Sequence, residues 1–96
     1  MRILSLENPQ DVAGEMQMFG VDKYGIQIMK NKGVLFLIKL EGLSSIAANI
    51  IKQEMLSLGA DAAVSRSAIT GSGKATDCLV MGTLAQINDL LLKLRQ

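Results

Sequence analysis

The sequence predicts an α/β domain of the α+β type, a mixed sheet of about four strands with helices packed mainly on one face. Three observations predict it. Residues 34–41 (VLFLIKLE) form an apolar run of strand length, and residues 77–82 (DCLVMG) form another. Residues 45–58 and 84–94 repeat apolar side chains at helical spacing behind good cap residues. The chain has 96 residues, enough for a single domain (1–96), and is 49% hydrophobic but only 3% aromatic, so the core must be aliphatic.

Residues 2–6 have strand character centred on Ile3 and Leu4. Asn8 is a helix cap, Pro9 suits the first helical position, and Asp11 places negative charge in the first turn. Val12, Met16 and Phe19 follow at helical spacing up to the stop at Gly20, with Gly14 weakening the helix by about 1 kcal/mol relative to Ala. Residues 22–33 have two readings. Ile26 and Ile28 alternate as in a strand entering a turn at 30–33, while Asp22 as cap and Gly33 as stop describe a short helix equally well.

The 34–41 run is the strongest strand, and its uniformly apolar start predicts cover on both faces. Gly42 ends it. Ser44 or Ser45 caps a helix that reaches Leu58 and stops at Gly59, with Ala47, Ile50, Ile51, Met55 and Leu58 facing inward and Lys52, Gln53, Glu54 and Ser57 facing water. Residues 61–66 read as a strand, 70–76 (TGSGKAT) as a polar hairpin turn, and 77–82 as the fourth strand. Thr83 and Gln86 form a capping-box pair for a last helix whose buried stripe is Leu84, Ile87, Leu91 and Leu94, widened by Leu90. The strand–helix–strand unit 34–66 should bring two strands parallel through a right-handed crossover, and the strands around the Gly-rich turn should be antiparallel. Residues 15–22 echo 54–61, which reads as two helices closing on the same Gly stop rather than as a duplication.

Composition excludes several functions. A formal charge of +1 with no basic cluster gives no nucleic-acid footprint, and no polybasic amphipathic stretch suggests a membrane surface. No apolar run approaches membrane-spanning length, and the apolar N-terminal stretch is too short for a signal peptide. A single cysteine, Cys78, fits a reducing compartment, so a cytoplasmic protein is expected. The absence of histidine removes the usual general base and the commonest transition-metal ligand.

The remaining candidate sites are weak. Gly71-Ser72-Gly73-Lys74 lacks the first P-loop glycine (Ala68), the following Ser or Thr (Ala75) and a following helix, and the dinucleotide pattern fails at Thr76. Cys78, set in an apolar strand with no histidine to activate it, reads as an inert buried thiol. Asp61, Asp77 and Asp89 could hold a hard cation only if the fold gathers them. Met16, Met55 and Met81 read as packing rather than soft-metal ligands. Arg66 and Lys74 flank the Gly-rich turn and read as solvated charges, with an anion or acidic partner as the alternative. The small residues Ala47, Ala48, Gly59, Ala60, Ala62 and Ala63 allow close packing or a flat docking surface. No catalytic, cofactor-binding or metal-binding residue is assigned.

Four stretches resemble one known region in order along the chain. They are residues 47–66 (AANIIKQEMLSLGADAAVSR), 20–29 (GVDKYGIQIM), 38–41 (IKLE) and 76–84 (TDCLVMGTL). They are similar to the N-terminal region of some bacterial dihydropteroate synthases. The resemblance implies a non-catalytic accessory domain of an enzyme of folate biosynthesis, one that condenses a pterin pyrophosphate with p-aminobenzoate. It places that chemistry, with its Mg²⁺, in a TIM-type barrel that would be this domain's partner. The family's Asn-x-Thr-Pro-Asp-Ser-Phe barrel motif is absent, since Pro9 is the only proline and is followed by Gln10. The chain alone is therefore expected to be inactive, and no family site residue carries over. The alternatives are a small-ligand regulatory module and an oligomerisation module. Leu90, Leu91 and Leu92 favour the latter, because three adjacent leucines of a helix cannot all face one core.

Overall fold

The computed structural model describes residues 1–66 and 75–95. Residues 1–7 form no helix or strand, so the expected strand at 2–6 is absent; Ile3 is exposed, while Leu4 and Leu6 line an apolar cavity with Val12, Met16, Phe19 and Leu35. Helix α1 (Pro9–Met18) starts as its sequence dictates, with Asn8 Oδ1 accepting from the Asp11 backbone N–H at 2.9 Å. Residues 22–33 resolve as helix rather than strand. Asp22 caps α2 (Lys23–Met29) through the Gly25 N–H, and a 3₁₀ turn (Lys30–Lys32) follows.

Strand β1 (Leu35–Leu43) then leads to α3 (Ser45–Ser57), β2 (Asp61–Val64), β3 (Thr76–Thr83) and α4 (Leu84–Leu94). The sheet among the described residues has three strands in the order β1-β3-β2, not about four, and both neighbouring pairs are antiparallel. β1 and β2 run parallel to each other, as the sequence implied, but β3 lies between them. The unit is therefore a split β-α-β rather than two adjacent parallel strands. The hairpin turn expected at 70–76, with Gly71–Lys74, lies almost wholly outside the described residues.

Side chains alternate cleanly across the sheet. Thr76, Cys78, Val80 and Gly82 of β3 share a face with Ala62 of β2 and with Phe36, Ile38 and Leu40 of β1. α3 and α4 lie on this face: Ile51 and Met55 from α3 and Ile87 and Leu90 from α4 complete the core with Ala62, Cys78 and Val80. The helices are tied at both ends. Gln86 Nε2 donates to the Leu58 carbonyl at 3.0 Å, and Lys93 Nζ pairs with Glu54 at 3.1 Å. The capping box at Thr83 and Gln86 forms as expected.

Two helical faces sit differently from their sequence reading. α3 buries Ala48, Ile51 and Met55, leaving Ile50 about half exposed, because the sheet meets the helix one position round from the expected stripe. α4 buries Ile87 and Leu90, whereas Leu91 and Leu94 stay 51% and 48% exposed. Two glycines shape β1. A Cβ at Gly33 would lie 2.7 Å from Val12 Cγ1, so only glycine lets α1 close on the start of β1. Gly42 has φ +69 in the register shift between Leu40 and Leu43, a bulge that bends the end of β1.

The echo between 15–22 and 54–61 is a shared helix stop. In each, a left-handed glycine (Gly20, Gly59) donates to the carbonyl three residues back, and the next residue donates five back. These are two Schellman caps, one leading to a helix and the other to a strand.

Candidate functional site

Among the described residues no helix covers the middle of the opposite face of the sheet; α1 borders only its Leu35 end, where Val12, Met16 and Phe19 line a cavity with Leu35. Leu35, Leu37 and Lys39 of β1 share this face with Leu79, Met81 and Thr83 of β3 and with Asp61 and Ala63 of β2. Leu35 is 79% exposed and Leu37 70%, with Leu79 and Met81 beside them at least part-exposed. The expectation that residues 34–41 are covered on both faces is therefore wrong. The run is apolar on both sides, but among the described residues only one side meets a helix layer. A signal was available in the sequence: Lys39 falls in two-residue phase with Leu35 and Leu37, which marks their face as the one that reaches water.

Ion pairs border this surface. Lys39 Nζ lies 3.9 Å from Asp77, whose other carboxylate oxygen accepts from the Gly42 N–H at 3.2 Å. Lys52 Nζ reaches Asp61 at 3.1 Å and the Ala62 carbonyl at 2.8 Å. The Ala62 backbone N–H, followed by Lys52, holds the Asp61 carboxyl below the usual carboxylate range.

A second apolar surface lies on the helix side, along the outer edge of β1. Ile38 and Leu40 form a groove there with Ile87, Leu90, Leu91 and Leu94 of α4, with a volume of about 240 Å³ and a lining of apolar side chains. No strand among the described residues pairs with this edge of β1. Leu91 and Leu92 are both about half exposed while Leu90 is buried, so the three leucines do point to different surroundings.

The residues weighed for chemistry are not brought together. No group of three or more His, Cys, Asp or Glu side chains able to hold a metal occurs among the described residues. Asp61 and Asp77 are engaged in the contacts above, and Asp89 is exposed on α4. Cys78 is buried on the core face of β3, and burial pushes its thiol up from the ordinary range, opposed by the charge on Lys52. Met55 is buried in the core, while Met16 and Met81 are half-buried. Ala48 and Ala62 are buried at the α3–sheet contact, where small size serves packing. Arg66 is exposed; Lys74 lies outside the described residues.

No helix among the described residues is long and apolar enough to cross a membrane.

Comparison with known proteins adds one relationship. Over 86 residues the chain is 30% identical to a bifunctional dihydropteroate synthase/dihydropteroate reductase from Helicobacter pylori. The match takes in 90% of this chain but only 23% of that protein's length. No family model matches the chain. No solved structure matches it either.

Proposed function

We propose that this chain is a non-catalytic accessory segment of a dihydropteroate synthase-type enzyme of folate biosynthesis, docked through its open sheet face on the body that carries the chemistry. The observation that carries the reading is the 30% identity across nearly the whole chain to under a quarter of a much longer enzyme. The uncovered leucines support it, because a sheet with Leu35 and Leu37 facing water presents the apolar patch that marks an interaction site. The occupant is the remainder of that enzyme, a TIM-type barrel on the family resemblance. On that resemblance its Mg²⁺ would be held there as well. A cytoplasmic location accompanies this role.

The test is direct. Purified chain supplied with a pterin pyrophosphate, p-aminobenzoate and Mg²⁺ should form no dihydropteroate; turnover would overturn the accessory role. Thermal-shift screening with the same compounds separates docking from ligand regulation. A ligand at a hundredfold excess over its Kd adds about 2.7 kcal/mol, so a clear shift would favour a regulatory module.

The relative's name supports a second reading, in which the matched segment serves the reductase activity. Chain incubated with dihydropteroate and a hydride donor, reduced nicotinamide or flavin, would then form the tetrahydro product. Deleting the matched 86 residues from the Helicobacter pylori protein separates the readings further. Loss of reductase activity with synthase activity intact would support the second.

A further inference from the structure

We propose that the free edge of β1 pairs with β1 of a second copy of this chain, antiparallel about a two-fold axis at Ile38, to make one continuous six-stranded sheet. This goes beyond the accessory role and does not depend on it. The two edges of the sheet are unequal: β2 is four residues long, while β1 runs for nine, straight from Leu35 to Leu40 before its bulge. A long apolar edge strand with no partner is a template for another strand.

The occupant is a second copy because the edge complements itself. For the helices of both copies to lie on the same side, paired residue numbers must sum to an even value, since facing residues share a face. Centring on Lys39 would oppose two ammonium groups, and centring on Leu40 would run the pairing through the bulge at Gly42. Centring on Ile38 sets Ile38 against Ile38 and Phe36 against Leu40 on the helix side. That places the partner's β1 across the groove of Ile38, Leu40, Leu91 and Leu94, which holds nothing polar that would call for a ligand. On the open side Leu37 faces the partner's Lys39. An isologous contact of this kind is the commonest way for identical chains to associate.

Light scattering and sedimentation of the 96-residue chain over a wide concentration range should give twice the 10.3 kDa of one chain. Leu91→Glu, at a half-exposed helix position, should keep the circular dichroism of the parent and weaken dimerisation tenfold or more. The decisive pair is at Leu37, whose 70% exposure makes either charge tolerable to the fold. Leu37→Glu gains the partner's Lys39 twice and should dimerise at least as tightly as the parent, whereas Leu37→Lys should be roughly threefold weaker or more. A monomer at every concentration would overturn the proposal. So would a dimer indifferent to Leu91→Glu, or one lost equally with both Leu37 variants, which would assign the contact to the open sheet face.

Discussion

Leu79 and Val80 are neighbours on β3 with similar side chains and opposite surroundings. Val80 is 2% exposed beneath α3 and α4, while Leu79 lies on the open face opposite Lys39. The same contrast runs through β1, where Ile38 points to the helix layer and Leu37 to water. Apolar chemistry is thus spent on both sides of a sheet that the described residues cover with a helix layer on one side only. Stability should depend on the covered face and association on the other surfaces.

The largest expected effect tests that division at adjacent positions. Val80→Asp would bury a carboxylate among aliphatic side chains and should leave the chain unfolded, since the cost rivals the whole stability of a small domain. Leu79→Asp should stay folded at a cost of about 1–2 kcal/mol, because Leu79 is 37% exposed and its new carboxylate would face Lys39. Urea unfolding followed by circular dichroism measures both. A Leu79→Asp variant as damaged as Val80→Asp would mean that the open face is packed.

A milder version truncates without adding charge. Met55→Ala removes a fully buried side chain at the centre of the core and should cost about 2–5 kcal/mol. Leu37→Ser should cost about 0.5 kcal/mol or less, because its side chain has little packing to lose. A cost above about 1.5 kcal/mol for Leu37→Ser would break the contrast.

How much of this was legible in the sequence follows from the range of the interactions. The caps at Asn8 and Thr83 were legible because each closes a contact three residues away, within the reach of local pattern, whereas Asp22 stood beside an equal strand reading and Ser44 beside Ser45. The position of β3 between β1 and β2 was not, because strand order depends on pairings across dozens of residues that composition does not encode. Residues 2–6 carry a strand-like pattern but find no partner, and propensity alone does not make a strand. The open face was misread for a related reason: an apolar run looks alike whether a second layer comes from the same chain or from another molecule. Lys39 and Glu41, in phase with Leu35 and Leu37, hinted at the difference. Cys78 was legible as a buried thiol because it stands in an apolar strand.

The cap of α4 sharpens the comparison from the helix side, because α4 is half of the cover. Thr83→Ala removes the acceptor for the Gln86 N–H and should cost about 1 kcal/mol, with the sheet itself unaltered. The loss should appear as earlier thermal unfolding with an unchanged circular dichroism spectrum at low temperature. Simultaneous disruption of the β1–β3 pairing would show that the sheet depends on α4 more than its contacts imply.

The smallest effect comes from the rim of the open face. Asp61 has its carboxyl lowered first by the Ala62 N–H and then by Lys52, so its folded pKa lies below its unfolded one. A depressed carboxylate contributes stability above the unfolded pKa and loses it as pH falls through the folded pKa. Asp61→Asn should therefore be slightly less stable than the parent at pH 7, and the two should converge in urea unfolding as the pH is taken below the carboxylate range. The order of causes makes a finer claim. Lys52→Met removes the second contributor and leaves the Ala62 N–H, so an NMR titration of Asp61 in that variant should still find it depressed. Return to the ordinary carboxylate value would transfer the effect to the ion pair. The rim charge would then be held by a flexible lysine rather than by the backbone of β2, and the border of the open face would be correspondingly softer.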